Sequence, residues 1–124
     1  MLGTSPLVAF VFTPDAERAK KFYGGTLGLK YVSQDPFAVV FDGHGTTLRV
    51  TILPGHKPSE HAVLGWEVAD IVASAMELKN VGVTLERYPF LEQDELGIWT
   101  APDRMAKVAF FKDPDGNVLS IAQH

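Results

Sequence analysis

The chain has 124 residues, of which 46% are hydrophobic, and it carries a formal net charge of −4 and no cysteine. That balance is ordinary for one globular domain, and the missing thiols exclude disulfide and thiolate chemistry. The largest basic cluster is Lys20-Lys21, so nucleic acid is not an expected partner, and no apolar run approaches the roughly 20 residues of a membrane span.

Met1 to Pro6 has no basic region ahead of a long apolar run, so no signal peptide is expected and the cytoplasm is the expected location. Leu7 to Phe12 is apolar at every position and reads as a strand buried on both faces. Thr13 is placed to cap the helix that follows, with Pro14 at its first position and Asp15 and Glu17 in its first turn. Ala16, Ala19, Phe22 and Tyr23 share one face of that helix, and Gly24-Gly25 ends it. Lys30 to Ser33 and Phe37 to Phe41 are strands around a Gln34-Asp35-Pro36 turn. Asp42-Gly43-His44-Gly45 is a hairpin turn leading into a strand over Thr46 to Leu53.

Residues 54–60 differ in composition from both flanks and read as a linker. The pattern then restarts. Ala62 to Val68 is a strand, Asp70 caps a helix running to Val81, and Thr84 to Arg87 is a further strand. Val108 to Phe111 and Val118 to Ala122 form a hairpin around Asp113-Pro114-Asp115-Gly116-Asn117. Between them, Tyr88 to Met105 is a long irregular stretch whose Phe90, Leu91, Ile98 and Trp99 can be buried. It reads as a lid or rim, or equally as a packed connection. Gly45-Thr46-Thr47-Leu48-Arg49-Val50 matches Gly116-Asn117-Val118-Leu119-Ser120-Ile121, each a turn glycine followed by an alternating strand. The expected organisation is one domain over residues 1–124, made of modules over 6–53 and 61–124.

The order of Asp15, Phe22-Tyr23 and Leu27-Gly28-Leu29, then Val68-Ala69-Asp70, Leu78, Gly82-Val83 and Phe111 to Ser120, resembles the vicinal oxygen chelate superfamily. That superfamily includes glyoxalase I, extradiol dioxygenases and bleomycin- or fosfomycin-resistance proteins. The resemblance implies an α+β fold in which two βαβββ modules form a U-shaped mixed sheet around a cavity, and a homodimer. It also implies where a metal would bind. One ligand comes from the first strand of each module, five residues before its last position, and another lies four residues past each turn glycine. Those positions hold Val8, Val63, Arg49 and Ser120. Valine has no donor atom, arginine opposes a cation, and a lone serine is a poor ligand. No metal and no cofactor are therefore expected.

Strand alternation puts Val8, Phe10 and Phe12 on the inferred cavity face of the first strand, with Thr47, Arg49 and Thr51 beside them. His61, Val63, Gly65 and Glu67 take the matching face of the second module's first strand, and Val118, Ser120 and Ala122 that of its last. The expected ligand-binding residues are Arg49, Phe10, Phe12, Val63, Trp99 and Ser120. Arg49 is read either as an anion receptor or as half of an internal ion pair with Glu67, Glu92 or Asp94. Catalytic residues are not assigned. Glu67 is a candidate base if apolar neighbours raise its pKa, and His61 is another. His44, His56 and His124 read as structural. The expected function is metal-free binding of a small amphipathic or aromatic ligand, possibly anionic. The alternatives are a metal-dependent glyoxalase-like lyase, isomerase or dioxygenase, and a metal-free enzyme using Glu67 or His61.

Overall fold

The structure is a computed structural model describing all 124 residues, Met1 to His124. The chain divides into two compact units, Met1–Pro58 and Ser59–His124. In the first, β1 (Val8–Thr13) leads into α1 (Ala16–Lys20), followed by β2 (Lys30–Gln34), β3 (Ala38–Asp42) and β4 (Thr47–Ile52). The sheet order is β1-β4-β3-β2, with β1 parallel to β4 and the other pairs antiparallel. The second unit repeats this plan. β5 (Ala62–Glu67), α2 (Ile71–Asn80), β6 (Trp99–Thr100), β7 (Lys107–Lys112) and β8 (Val118–Gln123) give the order β5-β8-β7-β6.

Each helix covers one face of its own sheet, and that is where each core lies. In the first unit Ala19, Phe22 and Tyr23 pack on Val11, Val39, Phe41, Leu48 and Val50, all buried. Tyr23 is wholly buried, with its ring 5.2 Å from Phe22 and 6.2 Å from Phe41. In the second, Ile71 and Ala75 lie over Ala109, Phe111, Leu119 and Ile121. Trp66 stacks 6.2 Å from Phe111 on that same face.

This one-sided coverage corrects the reading of β1 as buried on both faces. Val11 and Thr13 are buried, but Val8 is 47% and Phe10 52% exposed. Alternation sends these two to the face that no helix covers.

The helix start also differs from expectation. The cap is Asp15, whose backbone is extended and whose Oδ1 accepts from Arg18 N at 3.1 Å. Thr13 is one step too early: its buried hydroxyl accepts from Asp15 N and donates to Asp15 O, closing a turn ahead of the helix. Pro14 therefore precedes the cap. Asp70 does the same work in the second unit, accepting from Ala73 N at 3.1 Å with nearly the same backbone angles. Gly24-Gly25 does not end the first helix, which runs on as a π-helical segment over Lys21–Thr26. A Cβ on Gly24 would lie 3.2 Å from the Phe41 ring, so glycine there lets the widened turn sit close on the sheet.

The expected strand over Thr84 to Arg87 is reduced to one bridge, Leu85 to Phe111. Its place at the sheet edge is taken further along by the two-residue β6, which pairs with Lys107 and Val108. The β7–β8 turn is held from within by Asp113. Its buried carboxylate accepts from Asp115 N, Asn117 N and Asn117 Nδ2 at 2.8–3.0 Å.

Candidate functional site

The uncovered face of each sheet carries the candidate residues. In the first unit Arg49 sits in register between Phe10 on β1 and Val40 on β3. In the second, Ser120 sits between Gly65 on β5 and Phe110 on β7. The two central strands thus place their candidate residues at matching points of the repeat. Gly65 makes room for its neighbour, since a Cβ there would lie 2.5 Å from Ser120 Oγ.

The first strands are not equally regular. In β1, Val8 pairs with Thr47 in an unbroken ladder. In β5 the register slips between Ala62 and Leu64, so that Ala62 pairs with Val118 and Leu64 with Leu119. Val63 is the extra residue of a bulge and is 46% exposed. The slip brings Ala62, opposite Val118, to the uncovered face, where alternation already puts His61.

There they line a cavity of about 240 Å³ wholly within the second unit. Val108, Phe110 and Val118 form its floor from β7 and β8, and Tyr88, Phe90, Leu91 and Trp99 form its wall, with Glu60 and His61 alongside. The rings are mutually arranged: Tyr88 meets Phe110 edge-on at 5.6 Å and lies 5.4 Å from Phe90, tilted by 30°. Tyr88, Phe90, Leu91 and Phe110 are additions to the ligand-binding residues expected from sequence. The signal for Phe110 is the alternation of Lys107–Lys112, where Ala109 and Phe111 are buried in the core and Val108 and Phe110 must face away.

The wall is built from the long irregular segment, which is tightly tied. Asp94 Oδ1 accepts from Leu96 N and Ile98 N at 2.9 Å. Arg87 donates from Nη1 to Asp94 O at 2.6 Å and from Nη2 to Glu95 O at 2.5 Å. Behind it, on the helix side, a second cavity of about 370 Å³ is lined by Lys79, Arg87 and Glu95 over Ala75, Val83 and Leu85. It has the larger volume but no aromatic side chain, and it lies off the sheet face that carries the candidate residues. The smaller cavity is the better recognition site, since small-ligand pockets are mostly apolar with a few placed polar groups.

The remaining candidates sort by position. Phe10, Phe12 and Arg49 share the uncovered face of the first sheet, with the His56 ring 5.4 Å from Phe12. Arg49 is half-buried and has no carboxylate partner within its own unit. Its charge contributes the smallest of the influences that lower the Asp35 pKa, after the Phe37 and Ala38 amides. Two of the acids considered as its partners are engaged locally. Asp94 caps its own turn, and Glu67 accepts from His124 N and pairs with His124 Nδ1 at 2.8 Å. The hydrogen bonds from His124 lower the Glu67 pKa, the opposite of what a general base at neutral pH needs.

A metal is not supported by the donor set. Nowhere in the chain do three or more His, Cys, Asp or Glu side chains converge. The positions at which the family resemblance would put metal ligands carry Val8, Arg49, Val63 and Ser120.

Paired four-stranded mixed sheets, each built on one βαβββ plan and each with one helix-covered and one open face, define an α+β protein of the two-module type. The chain belongs to the Glyoxalase/Bleomycin resistance protein/Dioxygenase superfamily, whose family model matches residues 6–121. Among solved structures it is similar to TnmS3, an antibiotic binding protein from Streptomyces sp. CB03234. That match has 25% identity and a TM-score of 0.70, covering 99% of this chain and 98% of the other. A superfamily member from Sphaerobacter thermophilus DSM 20745 matches at 21% identity and a TM-score of 0.75, covering 100% of both chains. A lactoylglutathione lyase from Agrobacterium tumefaciens matches at 15% identity and a TM-score of 0.73, covering 97% and 93%. The last two show the fold alone. No curated protein matches the chain.

Proposed function

We propose that this protein binds a small aromatic or amphipathic molecule without a metal, seating its ring in the pocket of the second unit. The observation that carries this reading is the 240 Å³ cavity walled by Tyr88, Phe90, Trp99 and Phe110. Rings meeting at edge-on and tilted angles present both faces and edges to a planar guest, which aromatic pairs favour. The antibiotic-binding relative supports the same use of the fold. Glyoxalase-type or dioxygenase chemistry is disfavoured, because the donor set does not fit a catalytic metal.

Anion recognition by Arg49, on the open face of the first unit's own sheet, is a separate element of the reading. An arginine between Phe10 and Val40 with no carboxylate partner in its unit is suited to two parallel hydrogen bonds to a carboxylate. A homodimer belongs to the same reading. It is supported by the family resemblance and by the half-exposed Val8 and Phe10, and sedimentation equilibrium tests it.

The decisive experiment combines elemental analysis of protein purified without chelators with titration of a planar aromatic acid such as 2-naphthoate. The expected result is no stoichiometric metal and saturable binding that Trp99→Ala abolishes. Stoichiometric Zn, Ni, Mn or Fe would overturn the metal-free reading.

A further inference from the structure

Gln93 does not line the aromatic pocket, yet its amide ties together the segment that does. Its Oε1 accepts from Tyr88 N at 2.9 Å. Its Nε2 donates to Glu86 O and to Gly97 O, each at 2.9 Å. The main-chain partners fix the orientation of the amide, since only one placement of oxygen and nitrogen satisfies all of them. The main chain of Gln93 also bridges to Trp99. One residue thus joins the start of the wall, at Glu86 and Tyr88, to its end, through its side chain at Gly97 and its main chain at Trp99.

The surroundings give this clamp its leverage. Gly97 is buried with φ +98°, and a Cβ there would lie 3.1 Å from Leu85 Cβ, so the closing turn packs against the bridge to β7. Asp94 holds the tip through Leu96 N and Ile98 N. Without the Gln93 amide, two carbonyls and one N–H at the base of the segment lose their partners in a part-buried setting, and unpaired polar groups there are costly.

We infer that Gln93 is a positioning residue for ligand recognition, holding Tyr88 and Trp99 at the spacing the aromatic guest requires. This rests on the binding reading above. The competing account is that Gln93 only fills space.

Gln93→Met separates the two, because methionine keeps the length of the side chain and removes the amide. Two quantities are measured on the full chain: the Kd for 2-naphthoate, and hydrogen exchange at Asp94 N and Ile98 N in the free protein. Gln93 touches neither amide. The expected result is a Kd weakened by about tenfold, which equals about 1.4 kcal/mol. Exchange at Asp94 and Ile98 should quicken by at least about tenfold through local opening, while Ala109 and Leu119 stay as in wild type.

Wild-type exchange in the variant would overturn the clamp. Faster exchange with an unchanged Kd would overturn its positioning role. If wild type itself fails to bind 2-naphthoate, the binding reading and the positioning role built on it both fall, while the exchange result still decides the clamp. Should the methionine variant not fold, Gln93→Glu replaces it, since glutamate keeps the acceptor for Tyr88 and loses both donors. Its Kd and its exchange at Asp94 and Ile98 then support or overturn the clamp and the positioning role in the same way.

Discussion

Replacing Gly65 by alanine tests the packing of the second sheet's open face. The backbone there does not have positive φ, so alanine meets no conformational barrier. On chain entropy alone the change should stabilise the fold by about 0.4–1 kcal/mol. The neighbourhood opposes it. The new Cβ would lie 2.5 Å from Ser120 Oγ and 3.3 Å from Ser120 O. The hydroxyl can swing away at the cost of a rotamer, whereas the carbonyl must shift by a few tenths of an ångström within the β5–β8 ladder. Overpacking of this kind costs about 1–3 kcal/mol, which exceeds the entropic gain. Gly65→Ala should therefore lower stability by about 1–2 kcal/mol in urea denaturation, with an unchanged m-value. Removing the hydroxyl should relieve the part of this that comes from the 2.5 Å contact and leave the strain at the carbonyl. In a Ser120→Ala background the same change should therefore cost less without becoming neutral, with a coupling of about 1 kcal/mol in the double-mutant cycle. A Gly65→Ala protein as stable as wild type, or additive behaviour in the cycle, would refute the close approach of these residues.

Further outcomes follow from the same geometry. Phe111→Ala, which empties a wholly buried site under α2, should cost about 3–5 kcal/mol in thermal or urea unfolding. On acidification, Glu67 and Asp35 both have folded-state pKa values below the ordinary 4.5 and 3.8. Their contribution is complete above those ordinary values and is lost as pH falls through the lowered ones, so stability should decline across that window. His124→Ala should flatten the part of the decline that belongs to Glu67, and an unchanged profile would show the pair to be inert.

The fold was largely legible because its signals are local and repeated. Turn glycines, the alternation of Thr47–Ile52 and Val118–Gln123, and the apolar helix faces each depend on near neighbours. Even the helix start was recoverable. Asp15 stands two residues after Thr13 as Asp70 stands two after Val68, so the second module's cap pointed to the first module's. Tyr23, on the apolar face expected of the first helix, packs against Phe41.

What escaped depended on contacts distant in sequence. The bulge at Val63 comes from how β5 pairs with β8, and nothing within residues 61–67 announces it. It takes Val63 out of the ladder and brings Ala62, opposite Val118, to the pocket beside His61. Residues 84–87 and β6 likewise meet β7 at different points, Phe111 and Lys107–Val108, a division of one strand edge set by pairings distant in sequence. The Gln93 clamp is the local exception: its partners are within seven residues, but a glutamine in an irregular stretch carries no periodic pattern of its own. The two-module plan could be read from residue order without coordinates, because turn glycines and strand alternation repeat locally. Which aromatic rings converge could be read only from the folded chain, because a cavity wall is set by strand register and main-chain hydrogen bonds that no single residue encodes.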